Sequence, residues 1–137
     1  MMLCSGAMAA EDINPGQKAV AIRLFRAGED FYADRQYSQA MKNYLDALRI
    51  AEHNGADELT AMIYNGIGNL YSTQGDFQMG LYFYRKALAM SRRGKRSNLN
   101  LQNAILNNLS VLLSAPRPIL ILLQIVYRRV WVSIVNI

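Results

Sequence analysis

Cysteine and histidine are almost missing from this chain of 137 residues, which holds one of each, Cys4 and His53. A single cysteine excludes a disulfide within the chain. A lone histidine with no Cys/His cluster beside it gives metal binding little support, and no metal or cofactor is expected. His53 stands before Asn54-Gly55 and reads as the last residue of a helix. Proline is scarce, at three residues, and two of them, Pro116 and Pro118, fall late. Also missing are a G-x-S-x-G turn, a phosphate-cradling glycine loop and a paired His/carboxylate site, so no catalytic residue is expected and the chain is not read as an enzyme. The acidic pairs Glu29-Asp30 and Asp57-Glu58 read as solvated or dipole-favourable charges on or near helix ends.

What remains favours helices. The chain is 52% apolar, and its middle is rich in Ala, Leu, Met, Gln, Arg and Tyr, which suit helices better than strands. The length suits one small domain. The net charge of +5 is modest. The one dense basic group is Arg92, Arg93, Lys95 and Arg96 around Gly94. It reads as a helix end, where cations meet the negative pole of the dipole. A nucleic-acid-associated regulator using this 92–96 cluster is the alternative, though such binders gather cations along a stripe.

Both ends differ from the middle. Residues 1–12, MMLCSGAMAAED, look like the cleavage end of a secretory signal peptide, with Ala7-Met8-Ala9 as the site but no basic n-region. Residues 1–17 are therefore taken as a signal remnant and flexible lead. An extracytoplasmic, periplasmic location follows if that is right, and a cytoplasmic one otherwise. Lipidation at Cys4 is disfavoured by Leu3 before it. The tail, 116–137, is dense in Ile, Val and Leu and has no acidic residue. Residues 119–137 approach the roughly 20 apolar residues of a membrane span. Arg128 and Arg129 sit at their centre, each costing about 2.5–3.5 kcal/mol on insertion. A membrane-associated adaptor is thus kept as an alternative but not favoured. A surface or core-covering helix is another reading. The favoured one is that a frameshift or truncation has replaced the native continuation.

The chain repeats itself. Leu24, Ala27, Gly28 and Phe31 match Tyr64, Ile67, Gly68 and Tyr71, and Ala40, Tyr44 and Ala47 match Gly80, Tyr84 and Ala87. A third start takes Leu106, Leu109, Ser110 and Leu113 in the first four places. The pattern large–x2–apolar–small–x2–aromatic, then small–x3–aromatic–x2–Ala, resembles the tetratricopeptide signature. The resemblance covers about residues 18–115, with repeats at about 21–54 and 61–94 and a partial one at 103–115. It implies an all-α solenoid of antiparallel helix hairpins, two complete and the third cut after its first helix. Ala27 is small for its place, Gly80 replaces the usual Ala, and the first turn reads Arg35-Gln36-Tyr37 where the second reads Gly75-Asp76-Phe77.

Each half-repeat carries apolar residues at helical spacing. Gly28 and Ala40 should let paired helices approach. Gly55 and Gly94 sit where second helices should stop, and Asp76 can cap the helix after it. A third second helix would need a small residue at 122, a large one at 126 and Ala near 129. The chain offers Leu122, Val126 and Arg129, and Pro116-Arg117-Pro118 stands where the turn should be. An array without its capping helix is expected to pack its tail on the exposed helix of the third repeat, or to self-associate there.

The resemblance also implies a function: binding a protein or extended peptide in a groove lined by the first helix of each repeat. The groove places are Ile22, Phe25, Glu29 and Tyr32, then Met62, Asn65, Asn69 and Ser72, then Ala104, Asn107 and Val111. Amides donate and accept, so Asn65, Asn69 and Asn107 could pair with a peptide backbone, with Phe25 and Tyr32 adding selectivity. The plain alternative is that Asn is tolerated on an exposed face. No lysine lines these places, which argues against the carboxylate clamp of chaperone-binding members. More narrowly, the chain is similar to the sensor segments of bacterial signalling regulators.

Overall fold

The computed structural model describes residues 14–93, 98–114 and 118–136. Among them it forms α1 (Pro15–Ala33), α2 (Tyr37–His53), α3 (Asp57–Thr73), α4 (Phe77–Ser91), α5 (Leu99–Ser114) and α6 (Pro118–Val135), with no strand. The fold is the expected all-α array of helical hairpins: α1 pairs with α2 and α3 with α4, and α5 stacks on that second pair. The expectations for residues 1–13, with Ala7-Met8-Ala9 and Cys4, and for Gly94 and Pro116-Arg117 fall outside the described residues, whereas Pro15, Gly16 and Gln17, expected in the flexible lead, open α1.

The repeat length has a local cause. α2, α3 and α4 begin at 37, 57 and 77, so each step is one helix and one three-residue turn. All three turns close in the same way. Gln36 N–H donates to Phe31 C=O at 2.8 Å, Ala56 N–H to Ala51 C=O at 3.0 Å and Asp76 N–H to Tyr71 C=O at 2.9 Å. This is the Schellman ending, which needs a left-handed residue just past the helix. Gly55 supplies it at φ 61° and Gly75 at φ 84°. The first turn uses Arg35 at φ 60°, where a side chain costs roughly 1–2 kcal/mol. Asp76 caps α4 as expected, accepting from Met79 N–H at 3.1 Å. Asn14 and Asn98 do the same for α1 and α5, accepting from Gly16 N–H and Leu101 N–H, both at 3.0 Å. His53 is the final residue of α2.

Two cores share α3. The first joins Ala21, Ala40, Tyr44, Ala47 and Ala51 to Ile63, Ile67 and Leu70. The second joins Tyr64 to Tyr84, Ala87, Ile105 and Leu112. A small residue opposite a ring is what permits each pairing. A Cβ on Gly28 would lie 2.6 Å from the Tyr44 ring, and one on Gly68 2.6 Å from the Tyr84 ring. Gly80 has its own reason for departing from Ala. A Cβ there would run into Ser72 Oγ, which donates to Gly68 C=O at 2.8 Å.

The third repeat is covered on one side. Ile105 and Leu112 are buried, while Leu106 is 44% and Leu113 57% exposed. α5 begins 42 residues after α3, so Leu106 and Leu113 correspond to Tyr64 and Tyr71. Among the described residues nothing comparable to α4 covers them. The tail is helical, yet among the described residues α6 packs on no other helix, and its described side chains are exposed. The expected packing of the tail on α5 is therefore not what these residues do. Their register explains it: Leu122 and Arg129 stand where α4 has the small Gly80 and Ala87, so the helix cannot approach in the same way. Among the described residues no helix is long and apolar enough to cross a membrane.

Candidate functional site

Five of the expected groove residues, all on the first helices α1 and α3, converge. Phe25, Glu29, Met62, Asn65 and Asn69 line a cavity of about 230 Å³, completed by Gly66 and by Leu101 from α5. Three repeats thus contribute to one hollow.

The other expected residues do not line it. Tyr32 shares a hydrogen bond with Thr73 Oγ1 at 2.7 Å, tying α1 to the end of α3. Ser72 Oγ is turned toward Gly68 C=O and Tyr84. Asn107 and Val111 are exposed on α5, and Val111 lies one turn beyond the amide described below.

Matching places in the first two repeats build the same pair. Tyr44 donates its hydroxyl to Glu29 Oε1, and Tyr84 donates to Asn69 Oδ1 at 2.7 Å. Burial, then the Glu29 carboxylate, push the Tyr44 phenol far above its ordinary range. Burial also raises that of Tyr84. Both tyrosines are thus held as neutral donors, and both fix the orientation of the groove residue they touch. Gly66 makes room for the first pair, since a Cβ there would lie 3.1 Å from Tyr44 Cζ and 3.2 Å from Glu29 Oε1.

At the place in α5 that corresponds to Gly66 stands Asn108. Its amide donates to Asn65 Oδ1 at 3.0 Å and to Asn69 Oδ1 at 3.1 Å. The amide row is therefore Asn65, Asn69 and Asn108, with Asn107 outside it. Sequence reasoning missed Asn108, Gly66 and Leu101. The available signal was the adjacent pair Asn107-Asn108, read with the 42-residue offset. The network has a chemical consequence. The carbonyl oxygens of Asn65 and Asn69 are occupied from within, whereas their Nδ2 groups find no protein acceptor among the described residues. The hollow thus presents two amide donors and one carboxylate against an apolar wall of Phe25, Met62 and Leu101. Among the described residues Glu29 has no cationic partner.

Two other surfaces do not join this site. A larger hollow of about 890 Å³ lies between the start of α1 and the end of α2, with Val20, Leu45 and His53 in its wall. It belongs to one hairpin and includes none of the expected residues. In the basic cluster, Arg92 is the C-cap of α4, as its dipole reading requires, and Arg93 is exposed. Lys95 and Arg96 fall outside the described residues.

Comparison with known proteins agrees with this architecture. The model of a family described as tetratricopeptide repeat matches residues 16–93. The photosystem I assembly protein Ycf3 of Rippkaea orientalis (strain PCC 8801 / RF-1) is 27% identical over 92 residues, covering 67% of this chain and 47% of that protein. The chain thus spans about half the length of that curated relative. No solved structure matches it.

Proposed function

The chain belongs to the tetratricopeptide repeat family, and from that premise we propose that it is a non-catalytic module that holds an extended protein segment across α1, α3 and α5. One observation carries the reading: the Nδ2 groups of Asn65 and Asn69, oriented by Asn108 and Tyr84, stand free in a cavity shared by three repeats. Donors fixed in this way suit the carbonyl oxygens of a peptide backbone, which extended chain leaves unpaired. The similar Ycf3 is by name an assembly protein, and binding to other proteins is consistent with that role. The narrower role of signalling sensor rests on the resemblance alone.

Selection of peptides from a random library on the full chain tests the proposal. Selected peptides should bind at least tenfold more weakly to Asn65→Ala and to Met62→Trp, which fills the cavity. Equal affinity for both variants, measured calorimetrically, would place the binding site elsewhere.

A second reading concerns self-association, and the exposed faces of α5 and α6 favour it. Leu106, Leu113, Ile125, Val126, Val130 and Trp131 are all exposed. A second copy could cover α5 where the chain's own α6 does not. Sedimentation should then show a mass that rises with concentration for residues 1–137 and a monomer for Leu106→Glu with Leu113→Glu. A concentration-independent monomer for the parent chain removes this reading.

A further inference from the structure

The ninth place of the first helices changes character from one repeat to the next. It holds Glu29 in α1, Asn69 in α3 and Val111 in α5: an acid, an amide and an aliphatic side chain. Among the described groove residues Glu29 is the sole charge, in a chain whose net charge is +5. Its Oε1 is held by Tyr44, which leaves Oε2 without a partner among the described residues. Phe25 and Met62 flank it, offering apolar surface to the stem of a long side chain.

Building on the peptide-binding reading above, we propose that this groove selects a segment carrying Lys or Arg over Glu29 and an apolar side chain over Val111. The spacing follows from the stacking. Packed helices lie about 8–10 Å apart, and an extended chain advances about 3.3 Å per residue. One repeat therefore takes about three residues, and the basic and apolar residues should stand about six apart. The amides of Asn65 and Asn69 hold the backbone between them. Charge complementarity at one end sets the register.

The probe is a set of random dodecapeptide pools, each with one central residue fixed as Arg, Lys, Asp or Leu, titrated against the full chain. The Arg and Lys pools should bind about tenfold tighter than the Asp and Leu pools, as one hydrogen-bonded charge pair allows. Glu29→Gln keeps an acceptor for Tyr44, so it should melt like the parent yet lose that preference. Independently, raising salt from about 50 to 500 mM should weaken the parent's binding to the Arg pool more than to the Leu pool. An undiminished basic preference in Glu29→Gln, or identical salt responses, overturns the charge assignment. Tight binding of every pool overturns the selectivity but leaves the groove standing. Binding of no pool overturns both.

Discussion

α3 and α5 are the same element of successive repeats, yet they live in different surroundings. α3 sends Ile63 into one core and Tyr64 into the next. α5 buries Ile105 and Leu112 and leaves Leu106 and Leu113 in solvent. The difference teaches that a first helix is completed by its second helix, not by any apolar segment that follows. α4 can close on α3 because Gly68 admits the Tyr84 ring and Gly80 admits Ser72. α6 is more apolar than α4 but brings Leu122 and Arg129 to the positions where small residues are required.

The largest test sets neighbouring leucines against each other. Leu112→Ala should cost about 2–4 kcal/mol in urea unfolding, as for a buried core leucine. Leu113→Ala should stay within about 0.5 kcal/mol, as surface changes do. Equal costs would mean that α5 is covered on both faces.

The ring-on-glycine contact is the next discriminator. Gly68→Ala should destabilise by about 1–3 kcal/mol through overpacking against Tyr84. Ser110→Ala, at the matching place of α5, should leave the midpoint where it is, because Ser110 is exposed and among the described residues no ring lies over it. A sensitive Ser110 would show that some helix does close there.

The first turn is a control, since its repeat is complete but its chemistry is poorer. Arg35→Gly with Gln36→Asp copies Gly75-Asp76 into it. Relief of the left-handed arginine, less the entropy of glycine, should give about 0.5–1 kcal/mol. The new cap should add about 1 kcal/mol. An unchanged melting curve would contradict the assigned strain.

The smallest effect is alkaline. The buried Tyr44 has its phenol pKa raised above the ordinary 10.0. It is protonated in both states below that value, so its contribution is complete there. Above it the unfolded chain ionises first, and stability falls as pH rises. By pH 10.5 the loss should approach about 1 kcal/mol. Tyr44→Phe should make that limb shallower, with the raised Tyr64 and Tyr84 keeping the rest of it, whereas Tyr127→Phe should leave it unchanged, since Tyr127 is exposed. Matching limbs for the two variants would break the contrast.

The fold was legible in sequence because packing fixes residue size at recurring places. Gly28 with Tyr44 and Gly68 with Tyr84 state the helix pairing directly, and Gly55 and Asp76 mark its turns. Arg35 gave no such sign, since an arginine does not announce a left-handed backbone. Part of the hollow was legible, since the expected places Phe25, Glu29, Met62, Asn65 and Asn69 meet in it. The other expected places stand outside it for two reasons. Tyr32 and Ser72 are engaged by Thr73, Gly68 and Tyr84, partners that only three-dimensional packing supplies. Asn107 and Asn108 differ by one residue, which on a helix is about 100° of rotation, enough to take one amide out of the hollow and bring the other in. The helicity of the tail was not legible in its composition, which is dense in β-branched Ile and Val, and its exposure follows from the small residues it lacks.

Nuclear magnetic resonance of the full chain with a library-selected peptide tests the central claim most directly. The side-chain amide signals of Asn65 and Asn69 should shift on titration, saturating with the peptide's calorimetric affinity. Shifts confined to Val20, Leu45 and His53 at the outer hollow, with both amides unmoved, would contradict it.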